Sequence, residues 1–113
     1  LFIDSGHTVR IGGDVNYLYL EVLPILAKGV IIHIHDINLP YEYPEVYCTN
    51  PSFRVFWTEA YLLQAFLAFN TSFEVMLGMN YIQAEHMDVF RKAFPKYQTD
   101  FSGSGSFWIR KIK

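Results

Sequence analysis

The chain has 113 residues, of which 51% are hydrophobic and 18% aromatic, and these proportions exclude a disordered or low-complexity protein. Nine basic and eleven acidic residues give a net charge of -2, so the sequence lacks the basic surplus expected for binding nucleic acid or an anionic membrane. The lone Cys48 cannot form an internal disulfide, and no signal segment or long apolar run is present. We therefore expect one cytoplasmic domain, spanning residues 1–113, that binds neither nucleic acid nor membranes.

The first third of the chain has the pattern of a strand, a helix and a second strand. The apolar run LFID, residues 1–4, predicts a strand that gives way to a loop carrying His7. Apolar residues recur at helical spacing from 14 to 26, with Asp14 as a suitable N-cap and Pro24 bending or shortening the last turn. The β-branched run from Val30 to His35 predicts a strand that is buried on both faces.

A strand, a helix and a strand joined by short connections form a βαβ unit, in which the strands are parallel and the crossover is right-handed. Asp4 and His7 follow the first strand, and His35 and Asp36 end the second. Ligands of open α/β sheets bind outside the carboxyl ends of the strands. We therefore predict that these two polar clusters meet at one edge of the sheet.

The rest of the chain predicts a long loop followed by alternating helices and strands. Prolines and tyrosines interleave from Asn38 to Phe56, as is typical of a lid or a wall of a binding site. The later elements are a helix from its cap Thr58 to Phe69, a strand Phe73–Leu77, a helix Glu85–Phe94, a flexible segment Ser102–Ser106 and a strand Gly105–Ile112. The predicted fold is α/β: a partial Rossmann-like three-layer sheet with roughly four strands, two parallel and then an antiparallel pair, with helices on its faces.

The polar residues at the predicted edge allow several kinds of chemistry. His7 can accept a proton, and a carboxylate such as Asp4 or Asp36 can bind a hard cation. His33 and His35 point to the same face of their strand, which leaves a metal site open, although a packed core histidine is the favoured interpretation of His33. Glu59 lies in the first turn of its helix, where the helix dipole favours a carboxylate.

Several stretches carry a family likeness: IDSGH, DVNYLYLEVLP, GVIIHIHDINLPYEYP, WTEAYLLQAFLAFN, FEVML and GSFWIRK. Together they resemble the carboxyl-terminal half of class I S-adenosylmethionine-dependent methyltransferases, and in particular the bacterial branch that modifies sugars and natural products. The likeness covers nearly the whole chain. It implies that LFID and GVIIHIHD are the fourth and fifth strands of a seven-stranded sheet, and that FEVML and SFWIRKI are the antiparallel sixth and seventh.

The resemblance also implies a function. In the metal-dependent sugar O-methyltransferases that it suggests, the matching positions make Asp4 and Asp36 magnesium ligands and His7 the catalytic base. The acceptor is then a small hydroxylated molecule, for which the substrate-side candidates are His35, Tyr41, Tyr43, Trp57 and Glu59. The strands that bind S-adenosylmethionine in this family have no counterpart here. We therefore expect a fragment of a larger protein that is inactive alone.

Two alternatives stay open at this point. The chain could be a non-catalytic interaction module, since the apolar strand Leu1–Asp4 would form an exposed sheet edge that pairs in a homo-oligomer. It could instead be a small metal-binding protein that uses His33, His35 and Asp36.

Overall fold

The computed structural model describes residues 1–53, 55–98 and 104–113. In these ranges the chain forms four strands: β1 (Phe2–Ile3), β2 (Ile31–Ile34), β3 (Phe73–Gly78) and β4 (Phe107–Lys111). The sheet order is β1, β2, β4, β3; β1 runs parallel to β2, and β4 is antiparallel to both β2 and β3. The prediction of an α/β fold with two parallel strands followed by an antiparallel pair is confirmed.

The connection between β1 and β2 is helical from Asp14 to Ile25, one residue short of the prediction. It divides into α1 (Asp14–Tyr17), a π-helical turn (Leu18–Val22) and α2 (Leu23–Ile25). Pro24 has no N–H for a regular helical bond, and the wider π turn directly before it accommodates that loss. Asp14 is not the N-cap as predicted, because Gly13 takes that position; the Asp14 carboxylate instead accepts from the Gly6 N–H at 2.7 Å.

One face of the sheet carries the hydrophobic core. Side chains that alternate along the strands meet the helices there, and all of them are buried: Ile3, Ile32, Ile34, Ile109, Val15, Tyr19, Leu23 and Leu63. Because Tyr19 lies on the π turn and Leu63 on the helix after Thr58, the two helical segments pack side by side on this face. The core thus fixes the position of the first turn of the helix after Thr58 relative to the ends of β1 and β2.

The opposite face of the sheet is more open. Phe2 is 62% exposed and Ile31 is 43% exposed, and both lie on the same face as His33. A later helix lies beside part of this face, since its Phe90 lines a cavity together with Leu77 and Trp108. The described helices therefore cover the two faces unequally.

Several predicted element boundaries need correction. The loop after Asn38 contains a short helix, α3 (Val46–Thr49), and the next helix, α4 (Glu59–Leu67), ends two residues before Phe69. The helix predicted over Glu85–Phe94 corresponds to α6 (Met87–Ala93), and a further helix that was not predicted, α5 (Met79–Glu85), precedes it and meets it at His86. The extended backbone of Ala68 ends α4, and Phe69 after it has a positive φ of 61°.

The second strand of the antiparallel pair is shorter than predicted, starting at Phe107 instead of Gly105. Residues 102 and 103 of the predicted flexible segment lie outside the described residues. Ser104 lies within them, and its N–H donates to the Gln83 side chain at 2.8 Å.

Candidate functional site

The carboxyl ends of β1 and β2 bring four polar side chains together. His7 Nε2 lies 3.6 Å from Asp4 Oδ1 and 3.7 Å from Asp36 Oδ2. His35 Nδ1 lies 3.7 Å from Asp4 Oδ1 and 3.2 Å from Asp36 Oδ1. The parallel βαβ geometry thus places both polar clusters at one edge of the sheet, where the sequence predicted them.

Two of these residues adopt left-handed backbone conformations. His7 has a φ of 54° and Asp36 a φ of 57°. A residue other than glycine in this conformation costs roughly 1 kcal/mol of folding free energy, and backbone strain of this kind concentrates at functional sites. Gly105 supports the second turn from close range: its carbonyl accepts from Ile37 N–H at 2.9 Å, and a Cβ there would lie 2.7 Å from the Asp36 Cα.

Glu59 forms the buried support of His7. Its side chain is fully buried, and its Oε2 lies 2.8 Å from His7 Nδ1. The Ser5 hydroxyl donates to the same oxygen at 2.6 Å, and the Tyr19 hydroxyl donates to Oε1 at 3.0 Å. Burial, together with the adjacent carboxylate, raises the pKa of Tyr19, so this hydroxyl stays protonated and remains a donor.

The carboxylate of Glu59 determines which nitrogen of His7 is available. An ionised carboxylate only accepts hydrogen bonds, so the hydrogen-bond network assigns the proton to Nδ1. Nε2 of the neutral ring is then free to accept a proton, and it faces Asp4 and Asp36. A carboxylate behind an imidazole in this way fixes its tautomer and orientation and stabilises the imidazolium when it forms.

The start of α4 is attached directly to the loop that carries His7. The His7 carbonyl accepts from the N–H groups of Thr58 at 2.8 Å and Glu59 at 3.1 Å, and the Thr58 hydroxyl accepts from Val9 N–H at 2.7 Å. The sequence interpretation of Glu59 as a residue favoured by the helix dipole missed its contact with His7. The one sequence signal was a carboxylate directly before the apolar stripe of α4.

Aromatic rings from the proline-rich loop border the cluster. Trp57 packs on His7 with ring centroids 4.5 Å apart, and Tyr47 meets the edge of Trp57 at 5.2 Å. The Tyr41 hydroxyl donates to Glu85 at 2.6 Å, which raises the pKa of Tyr41 to about 12. The Tyr43 hydroxyl, in contrast, accepts from Ala60 N–H at 2.9 Å, so this substrate-side candidate is bound to the start of α4.

A polar cavity of about 280 Å³ opens beside the cluster. Asp36 belongs to both the cluster and the cavity wall, and Trp57, which packs on His7, and Tyr41 also line the cavity. Of the other substrate-side candidates, His35, Tyr43 and Glu59 are not among the residues that line it. The cavity therefore presents space for a ligand next to Asp36, which in turn lies beside His7 Nε2.

His33 lies on the open face of the sheet, in a different environment. Its Nε2 is 2.7 Å from the Ser106 hydroxyl, which itself accepts from Trp108 Nε1 at 2.7 Å. The rings of His33 and Trp108 are stacked, with centroids 4.5 Å apart. Desolvation by burial lowers the pKa of His33. These contacts are those of a packed, hydrogen-bonded histidine.

The side chains at this edge of the sheet determine whether the magnesium ion implied by the family resemblance could bind here. Within the described residues, no group of three or more His, Cys, Asp or Glu side chains is arranged to hold a metal ion. The carboxylates of Asp4 and Asp36 offer two hard oxygen ligands, and magnesium is often held by one or two carboxylates with water and substrate completing its shell. His35 Nδ1 is buried without a hydrogen-bond partner among the described residues, and a water on such an ion would satisfy it.

A scan against protein-family models gave no match for this chain, and searches of curated proteins and of solved structures also gave none. Across the described ranges, no helix has the length and hydropathy needed to cross a bilayer.

Proposed function

We propose that the chain is the acceptor-side part of an S-adenosylmethionine-dependent methyltransferase that methylates a hydroxyl group of a small molecule. The observation that carries the proposal is the Glu59–His7 pair: Nε2 of His7 faces Asp4 and Asp36, and Asp36 lines a cavity large enough for a small molecule. An imidazole base beside a residue of a cavity wall suits proton removal from a bound acceptor. A cytoplasmic location is part of the proposal.

In the proposed reaction, His7 Nε2 takes the proton of the acceptor hydroxyl. The hydroxyl oxygen bonds to the methyl carbon at the same time, and the bond between that carbon and sulfur breaks. S-adenosylmethionine would supply the electrophilic methyl group and leave as the neutral thioether. Glu59 stabilises the imidazolium of His7, while Ser5 and Tyr19 hold the carboxylate in place.

Asp4 and Asp36 have a second role in the proposal. They are the residues that would hold magnesium, which would lower the pKa of a bound hydroxyl. Their oxygens lie within 3.7 Å of His7 Nε2, so an acceptor at this point would be close to the base. His35 Nδ1 lies within 3.7 Å of both carboxylates as well.

The test uses the protein encoded by the complete reading frame that contains this chain. We expect it to bind S-adenosylmethionine in calorimetry and to transfer a labelled methyl group to hydroxylated acceptors. His7→Gln should reduce transfer by about 100-fold or more, because general-base catalysis is lost. Glu21→Gln, at an exposed helical position, should leave transfer unchanged. Absence of S-adenosylmethionine binding by the complete protein would overturn the proposal.

A second candidate function is self-association through the edge of the sheet. The sheet order leaves β1 at the edge, and Phe2 and Ile31 are exposed beside it. An apolar edge strand is a template for pairing with another strand. We propose a homo-oligomer in which two copies pair through Leu1–Asp4.

Sedimentation equilibrium tests this second proposal. Phe2→Lys should dissociate the oligomer, whereas Ile11→Lys, at a fully exposed loop position outside the strands, should not. A wild-type chain that sediments as a monomer at high concentration, with freely exchanging amides in Leu1–Asp4, would contradict it.

A further inference from the structure

The cavity beside Asp36 has the size and lining of a site for one small ring. Its volume of about 280 Å³ lies near the lower end of the range for small-molecule sites, which suits a single ring better than a nucleotide. Trp57 and Tyr47 supply aromatic surface, and the amides of Asn38 and Asn80 supply hydrogen-bonding groups. Aromatic faces and amides together suit the apolar face and the hydroxyl edge of a hydroxylated ring.

The charge of the cavity restricts the ligand further. Asp36 and Glu42 both line it, and none of the lining residues in the described ranges is a lysine, arginine or histidine. Glu42 accepts from the Tyr61 hydroxyl at 2.5 Å and from Tyr43 N–H at 3.0 Å, and these bonds lower the pKa of its carboxyl. Glu42 therefore stays ionised at neutral pH.

A third carboxylate contacts one of the lining residues. Tyr41, which lines the cavity, donates to Glu85 on α5 at 2.6 Å. An anionic acceptor, such as a phosphorylated ring or a uronic acid, would meet uncompensated negative charge here. An ammonium group would meet carboxylates and the faces of aromatic rings, both of which attract it.

We propose that the acceptor is a single hydroxylated ring that bears an amino group, with the ammonium bound near Glu42 and a hydroxyl directed to His7. This inference rests on the proposed function for the role of His7, while the charge preference rests on the cavity alone. Asp36, shared by the cavity and the polar cluster, connects the two.

Tryptophan fluorescence provides the test, in magnesium-free buffer at low salt and neutral pH, and without S-adenosylmethionine. The probes are methyl glucosaminide, methyl glucoside and methyl glucuronide. Trp108→Phe serves as the background, so that Trp57 is the reporting ring. We expect the amino sugar to bind about fivefold more tightly than the neutral sugar, as one partly exposed charge pair allows, and the glucuronide not to saturate.

The matched variants locate the charge preference. Glu42→Gln should bring the affinities for the amino and neutral sugars to within twofold of each other, and Glu21→Gln should preserve the preference. Glucuronide binding as tight as that of the amino sugar, or no binding of any of the three, would overturn the inference even if Glu42→Gln proves unstable. A different outcome would contradict the proposed function alone. In that case the complete protein would bind the amino sugar but would transfer no methyl group.

Discussion

His7, in the loop after β1, and His33, within β2, are both buried, with 7% and 9% of their surfaces exposed, yet their surroundings differ in kind. His7 has the buried carboxylate of Glu59 on one nitrogen and two further carboxylates near the other. His33 has a hydroxyl on one nitrogen and an indole ring against its face. Burial therefore does not distinguish a candidate base from a packing residue; the charge of the partner does.

The backbone reinforces this contrast. His7 has a positive φ in a loop, whereas His33 lies within the regular strand β2 and pairs with Trp108 of β4. A strained residue persists only where the surroundings determine its conformation, and at His7 these surroundings are the bonds to the start of α4. The same backbone bonds position Glu59 behind the ring.

The largest effect is expected from Glu59→Ala. Three donors, on Ser5, His7 and Tyr19, would lose their buried acceptor together. We expect the free energy of unfolding to fall by about 3–5 kcal/mol, the range for breaking a buried charged network. Urea unfolding followed by circular dichroism measures this loss.

Glu21→Ala is the control for that variant, because Glu21 is an exposed carboxylate on a helical turn, and it should change stability by less than about 0.5 kcal/mol. A loss below about 1 kcal/mol for Glu59→Ala would mean that the buried network contributes little and that His7 is not held by it.

A smaller effect is expected from Tyr19→Phe, which removes one of the three donors to Glu59 and keeps the ring that packs edge-on against Phe66. We expect a loss of about 1.5–3 kcal/mol, the range for a hydrogen bond to a charged group. Chemical denaturation provides the measurement, with Tyr17→Phe at an exposed helical position as the control. Equal stability of the two variants would refute a supporting role for the Tyr19 hydroxyl.

The meeting of Asp4, His7 and Asp36 could be predicted from the sequence, whereas the role of Glu59 could not. The first depends on local patterns and on the parallel geometry of a βαβ unit, which brings both carboxyl ends to one edge. The second joins residues 52 positions apart, through a loop whose path the interleaved prolines do not specify. Pattern arguments place a carboxylate on a helix, but packing decides which side chain it meets.

The same distinction explains the errors in the elements. Helix α5 and the break at His86 escaped prediction because β3 passes directly into α5, with Gly78 both ending the strand and capping the helix. Pro24 in the sequence predicts a bent or shortened last turn, but not the π turn that precedes it. Gly105 is required by its close approach to Asp36, a contact between segments that no local pattern records.

The smallest effect concerns the pH dependence of stability at His33. Desolvation lowers its pKa below the ordinary value of 6.5, so the folded chain binds a proton there less readily than the unfolded chain does. Above pH 6.5 the burial of His33 therefore does not reduce the free energy of unfolding through protonation. As the pH decreases from 6.5 toward the lower pKa of the folded state, this group makes the free energy of unfolding fall. His33→Gln removes this acid-side loss together with the stacking on Trp108.

We expect His33→Gln to be less stable than the wild type by about 1 kcal/mol at pH 8, and the gap to narrow between pH 6.5 and 5. Urea unfolding at pH 8, 6 and 5 measures this gap. A gap that widens on acidification would mean that the folded state favours protonated His33. The hydroxyl of Ser106 would then be accepting from an imidazolium, and the contrast with His7 would disappear.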